Sequence, residues 1–389
     1  MLHGMRMRKA TSALVGLLLA GIAATPAHAQ TIRERQWHLD AMKADEIWKT
    51  ATGKGVTVAV IDSGVARVSE LEGQVLPGKN LATAQEGDER TDYDNHGTTM
   101  AALIAGTGKH PSGDGAFGLA PGAKILPIRV PIENDQTNPG WTQAIRYAAD
   151  SDAKIINISM ATDQDDPARI DAVKYALSKG KLIFAGVGND GETLNNLKYP
   201  AATPGVVGVA GIGPDGGATK ESEHGPQVDL SAPGVDIYGA CLGKTEVCVG
   251  HGSSNASALA SASAALLWSA HPDWTNNQVL RVLLNTAGKP VDGAGRNDYV
   301  GYGVVRPRVA VPTPGDPGPA DIYPLPDLAA AAATKPAAPS ADSKPTSRAE
   351  SAGRKSDSGS SLPWIALGLG ACVVIGGAVT AVAVRRNRR

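Results

Sequence analysis

Short apolar runs bounded by turn residues recur through the middle of the chain. They are "VTVAVID" (56–62), "KILPIRV" (124–130), "KIINISM" (154–160), "KLIFAGVG" (181–188) and "GVVGVAGI" (205–212). Runs this continuous, without polar alternation, read as strands buried on both faces, the condition of a parallel sheet. Between them, "WTQAIRYAAD" (141–150) and "PARIDAVKYALSKG" (167–180) carry apolar residues at helical spacing. The second opens on Pro and closes on Gly. Thr275 to Gln278, ahead of "VLRVLLNTAG", fits a capping box. Strand and helix in alternation predict an α/β fold with a mainly parallel central sheet flanked by helices. In such sheets chemistry collects at the carboxyl ends of the strands. No internal repeat is visible.

The ends follow other rules. Arg6, Arg8 and Lys9 precede an apolar run, Ala13 to Ala24, and Ala27-His28-Ala29 is a small-x-small cleavage site. Residues 1–29 therefore read as a signal peptide, with a mature start near Gln30. At the other end, Trp364 to Val384 is a stretch of about 21 uncharged residues, long enough to cross a bilayer. Four arginines follow it, so residues 363–384 are expected to be one transmembrane helix and 385–389 a basic cytoplasmic tail. Residues 313–362, rich in Pro, Ala and Ser, lack the apolar content to order themselves and read as a disordered tether. What remains, residues 30–312, is one domain of enzyme size. The expected setting is a single-pass protein of the cell membrane with this domain outside the cytoplasm.

Hydrophobic residues make up 42% of the 389, and the formal net charge of -1 argues against binding nucleic acid by bulk electrostatics. Of three cysteines, Cys372 falls in the apolar tail. Cys241 and Cys248 flank a short loop in an exported domain and are expected to form a disulfide. Two thiols without neighbouring His or Cys do not make a metal cage, so no metal site is expected there.

Four stretches carry candidate chemistry. Asp62 ends the first strand ahead of Ser63-Gly64, where a turn former also fits. In "DNHGTTMAALIAG" (94–106), His96 opens a helix of small residues that Thr98 or Thr99 could cap. In "FAGVGNDG" (184–191), Asn189 follows a strand among glycines, and turn chemistry alone accounts for it. In "GHGSSNASALASASAALL" (250–267), Ser253 and Ser254 stand at a helix entry, while Ser257, Ser261 and Ser263 fall inside it as packing residues. Each is weak by itself. Together they supply what a serine nucleophile needs: a near-neutral base in His96, an acid in Asp62 and an oxyanion donor in Asn189. Chain order narrows the choice. "GSSNA" approaches a nucleophile elbow, but the only histidine after Ser254 is His271, too near in sequence to fold back. The remaining order is Asp62, His96, Ser254.

At these residues the chain resembles the subtilases. "VAVIDSGV", "DNHGTTMAALIAG", "FAGVGNDG" and "HGSSNASALAS" match the family's Asp, His, oxyanion-Asn and Ser motifs over roughly residues 37 to 311. The resemblance implies a subtilisin-like three-layer fold and a serine endopeptidase needing no cofactor. It also implies roles: Ser254 as nucleophile, His96 as base, Asp62 as orienting acid and Asn189 as oxyanion donor. Ser159-Met160-Ala161 stands where the family's Ser-Leu-Gly substrate strand lies, with Ala in place of Gly. Asn255-Ala256-Ser257-Ala258 replaces the usual Met-Ala-Ala-Pro. The acidic loop 86–95 has two readings, a calcium site or a solvated face. Signal peptide, protease domain, Pro-rich tether and single span resemble the mycosins, membrane-anchored subtilases of type VII secretion. That implies protein or peptide substrates and a secretion-machinery partner. A scaffold role with little proteolysis is the alternative.

Overall fold

The computed structural model describes residues 30–131, 139–243 and 245–333. Seven parallel strands form the central sheet: β1 (Thr57–Asp62), β2 (Lys79–Asn80), β3 (Lys124–Arg129), β4 (Ile155–Ile158), β5 (Leu182–Gly186), β6 (Val207–Ile212) and β7 (Leu230–Pro233). Their order is β2-β3-β1-β4-β5-β6-β7, so the chain starts near the middle and builds outward in both directions. A separate antiparallel ribbon pairs β8 (Ile237–Ala240) with β9 (Val247–Gly250).

Each apolar run is buried on both sides because alternate residues feed two cores. From β1, Val58 and Val60 enter one cluster, and Ala59 and Ile61 enter the other. The first cluster lies under α4 (His96–Ala105), α7 (Ser253–Ala270) and α8 (Asn276–Thr286), and the second under α5 (Pro139–Asp150) and α6 (Pro167–Ser178). This is the expected three-layer arrangement. Three helical turns, α1 (Ile32–Arg35), α2 (Trp37–Ala41) and α3 (Ala44–Ile47), lay the N-terminal segment against the first cluster, and α9 (Pro307–Ala310) closes it.

The local signals hold where they were read. Thr275 and Gln278 form the capping box of α8, and Asp166 caps α6 ahead of Pro167. The central helix α7 is buried along nearly its whole length, which its alanines and serines permit. Two of those serines do more than pack. Ser257 and Ser261 each donate to the Asn157 Oδ1 on β4, at 3.0 Å, and Asn157 Nδ2 donates to Ser159 Oγ at 2.9 Å. A buried amide in an apolar strand is thereby satisfied, as burial requires.

One boundary moves. Residues after 313, expected to begin a disordered tether, remain packed on the domain through α10 (Asp327–Ala333). Arg281 Nη1 donates to the carbonyls of Pro317 and Pro319, both at 2.8 Å. Gly205 N donates to Asp327 Oδ2 at 2.6 Å, Leu325 is 3% exposed, and Tyr323 packs against the first core. The segment cannot build a core, but its few apolar residues join an existing one, and a guanidinium satisfies carbonyls left without a ladder. The expected signal peptide, transmembrane span and basic tail lie outside the described residues. Among the described residues no helix is long and apolar enough to cross a membrane.

This strap belongs to the fold, so Leu325→Ala should cost about 2–5 kcal/mol in denaturant unfolding, the usual penalty for an emptied Leu site. A chain ended at Pro312 should melt below one ended at Ala333. Equal melting temperatures would return the strap to the tether.

Candidate active site

Asp62 ends β1 and is fully buried. Its Oδ1 accepts from the Ser63 backbone N–H at 2.8 Å and lies 2.8 Å from His96 Nδ1. His96 is the first residue of α4, and Gly97 after it leaves no room for a side chain. A Cβ there would stand 2.2 Å from the Gly64 carbonyl oxygen and 2.9 Å from Asp62 Cβ. This close approach is what lets the helix entry meet the strand end.

The cap of α4 is not a threonine. The buried carboxylate of Asp92 accepts from the backbone N–H groups of Asp94, Asn95 and Thr98, and from Thr98 Oγ1 at 2.6 Å. Thr99 Oγ1 instead donates to the Asn95 carbonyl. The acidic loop 86–95 is therefore only partly a solvated face. Arg129, 1% exposed on β3, donates to the carbonyls of Glu86 and Asp88, so a buried cation pins the loop through its backbone.

Ser253 and Ser254 open α7 after Gly252, whose φ of 112° is open to glycine and which has Asn189 packed against it. The two hydroxyls differ. Ser253 is 2% exposed, and its Oγ accepts from Gly188 N at 3.1 Å while its own N–H donates to Asn189 Oδ1 at 2.8 Å. That leaves the Asn189 amide nitrogen as the donor end. Ser254 Oγ donates to the Ser159 carbonyl at 2.9 Å, and Ser159 Oγ donates back to the Ser254 carbonyl at 3.0 Å. A cavity of about 250 Å³ is lined by Ser159, Met160 and Ala161 on one side and by Asn189, Lys198 and Ser254 elsewhere. The structure thus gathers Asn189, Ser254 and the 159–161 segment at one cleft and pairs Asp62 with His96. The helices whose first turns carry His96 and Ser254, α4 and α7, pack together. Cys241 and Cys248 are bonded, with Cα atoms 5.8 Å apart, and close the β8–β9 ribbon.

Sequence reasoning missed the charges at the cavity's far end. Lys198 Nζ lies 2.7 Å from Asp163, 2.9 Å from Asp190 and 3.6 Å from the fully buried Glu223. Burial opposes the ammonium charge, yet the three carboxylates hold Lys198 above its ordinary range. Burial pushes Glu223 up to about 7 against the pull of Lys198. Nothing in local pattern marks a buried Glu in "KESEHG", because its partner arrives from another strand's loop.

His96 feels opposed effects. Burial disfavours its charged form, but Asp62, with Asp94 and Asp92 behind it, outweighs that and pushes the imidazole up to about 9. At neutral pH the ring is then largely protonated. That agrees with a Ser254 hydroxyl turned to a carbonyl instead of to the ring.

Comparison with known proteins decides the family. Residues 53–303 match the subtilase family. The chain belongs to it. Mycosin-1 of Mycobacterium tuberculosis (strain ATCC 25618 / H37Rv) is 32% identical, across 73% of this chain and 74% of that protein. The minor extracellular protease Epr of Bacillus subtilis (strain 168) is also 32% identical, across 70% of this chain, which spans 41% of Epr. A crystal structure of MycP1 from the ESX-1 type VII secretion system superposes with a TM-score of 0.65 at 28% identity, covering 76% of this chain and 90% of that one. The protein is a subtilase-family serine protease related to the mycosins.

The Asp62–His96 pair carries a titration that can be read directly. His96 ring resonances should titrate near pH 9, and Asp62→Asn should bring the midpoint down, because burial stays while the attracting charge goes. Since the folded value lies above the ordinary 6.5, the pair's stabilisation is fully present below about pH 6.5. It is lost as pH rises through about 9. A His96 midpoint at or below 6.5 in the unaltered protein would contradict this.

Proposed function

We propose that the protein hydrolyses peptide bonds through Asp62, His96 and Ser254, with Asn189 as oxyanion donor. The observation that carries the reading is the hydrogen bond from buried Asp62 to half-buried His96 at the mouth of α4, which packs on the helix that Ser253 and Ser254 open. Neutral His96 takes the proton from Ser254 Oγ as that oxygen bonds to the scissile carbonyl carbon. Asp62 holds the ring's other nitrogen and stabilises the imidazolium. The carbonyl oxygen, now an oxyanion, is met by the Asn189 amide and the Ser254 backbone N–H. Collapse breaks the C–N bond, and the leaving amine takes the proton from His96. Water, deprotonated by the same ring, then releases the acyl group and restores Ser254.

Ser159-Met160-Ala161 would pair with substrate backbone along the cleft wall. The chemistry uses no cofactor. The signal peptide (1–29), span (363–384) and basic tail (385–389) read from the sequence support a domain held on the outer face of the cell membrane. Similarity to mycosin-1 and to MycP1 supports protein substrates within a type VII secretion system.

A second reading, a scaffold with latent proteolysis, draws on a specific observation: Ser254 Oγ is bound to the Ser159 carbonyl while His96 is held protonated. Activation then needs a serine rotation and a lost proton. A fluorophosphonate probe separates the two. The wild-type ectodomain should label, Ser253→Ala should still label, and Ser254→Ala should not. The labelling rate should climb with pH toward 9 as His96 becomes neutral. Asn189→Ala should lower peptide turnover by about 10²–10³ with a small change in KM. A folded ectodomain that never labels at any pH would leave the scaffold reading standing.

A further inference from the structure

The residue before His96 is held by a part of the chain far away in sequence. Asn95 has φ 68° and ψ -2°, left-handed backbone that costs a non-glycine residue about 1–2 kcal/mol, though Asn tolerates it best. Its side chain makes no cap to α4. Instead the carboxamide crosses to the end of β8. Asn95 Oδ1 accepts from Leu242 N at 2.7 Å, and Nδ2 faces the Leu242 carbonyl at 3.5 Å and Cys248 Sγ at 3.8 Å. An amide set against a peptide unit in this way acts as one more rung on the β8–β9 ribbon.

The ribbon is tied elsewhere too: Gln36 Nε2 donates to the Tyr238 carbonyl at 3.0 Å, His110 pairs with Glu246 at 2.9 Å, and Ile237 and Ala240 are buried in the first core. A lone two-stranded hairpin is marginal in water. Here the Cys241–Cys248 bond closes it, and Cys241 N donates to the Glu246 carbonyl at 3.1 Å. On α4 the approach is close: a Cβ on Gly239 would stand 3.0 Å from Leu103 Cδ2, so β8 lies directly on the helix. His96 therefore enters α4 between two clamps. Asp92 grips the backbone from the buried side, and Leu242 grips Asn95 from the outer side.

We propose that Asn95 is a positioning residue for His96, and that the disulfide-closed β8–β9 ribbon acts on catalysis through it. The inference rests on the role given to His96 above. The clamp sets the backbone direction into the histidine and so the ring's reach toward Ser254. Errors of about 1 Å in such placement cost on the order of 10²-fold in rate. Reduction of Cys241–Cys248 loosens the ribbon and slackens the outer clamp without touching Asp62, Ser254 or Asn189.

Asn95→Gly is the sharpest variant, because glycine keeps the left-handed backbone and loses only the carboxamide. It should lower kcat about 10-fold or more with KM within about twofold, and the melting temperature should stay near that of the unaltered ectodomain. The alkaline rise in labelling rate should also shift, because the ring sits differently against Asp62, Asp92 and Asp94. Cys241→Ser/Cys248→Ser, and separately phosphine reduction of the unaltered protein, should give the same kcat loss in weaker form. In the serine background Asn95→Gly should cost clearly less than in the disulfide-bonded one, since coupled residues are not additive. Additive losses, or an unchanged kcat and pH profile in a folded Asn95→Gly ectodomain, would overturn the inference. If the unaltered ectodomain does not label with fluorophosphonate, the proposed function fails and takes this with it. If it labels and the variants match it, only the positioning role falls.

Discussion

Everything at the cleft depends on how closely α7 lies against the sheet. The helix is almost wholly buried, and most of its buried residues are alanines and serines. Small side chains bring its first turn down onto the ends of β4 and β5. Ser159 and Ser254 then exchange hydrogen bonds, and Ser253 N–H reaches Asn189. The same closeness would leave a polar strand residue stranded, and Asn157 avoids that by taking two hydroxyls from the helix. Enlarging a residue in such a seam typically costs about 1–3 kcal/mol, but here it would also move the serine.

Charge is handled in two ways around this seam. Buried Asp62 and half-buried His96 form a pair whose balance shifts with pH, and the carboxylate holds the imidazole's proton above its ordinary range. Lys198 sits among three carboxylates, Asp163 and Asp190 from the loops after β4 and β5 and the buried Glu223 from the loop after β6. The carboxylate of Glu223 occupies the space where a side chain on Gly188 would go, 1.8 Å from that Cβ position. The backbone leading to Asn189 thus depends on an ion network in the fold as much as on its own turn. The Asp163 and Asp190 carboxylates are partly open to solvent, which screens their pairing with Lys198, and only the Lys198–Glu223 contact is buried at both ends.

Much of the fold was legible because its signals are local. Both-face burial makes β1, β3, β4, β5 and β6 continuous apolar runs, and capping chemistry marks α6 and α8. The candidate residues were legible for a related reason, since each stands where a strand ends or a helix begins. Other features were hidden. Asn157 was visible as a polar break in "KIINISM", but its partners lie about a hundred residues on. Asp92 could have been found by capping logic, had the count begun before His96 rather than after it. The strap at 317–328 has the composition of a linker and is ordered only because Arg281 and a preformed core receive it.

The sequence by itself determined the layers, the order of the chemistry along the chain and the small-residue helix, because hydrophobic period, caps and turns act over a few residues. Tertiary structure alone decided that Ser253 is buried while Ser254 beside it is partly open. It also decided the charge on His96, the Lys198–Glu223 network, and the grip of Leu242 on Asn95. Those depend on groups brought within a few ångströms from distant parts of the chain, and hydrogen bonding and desolvation are set by that distance, not by position in the sequence.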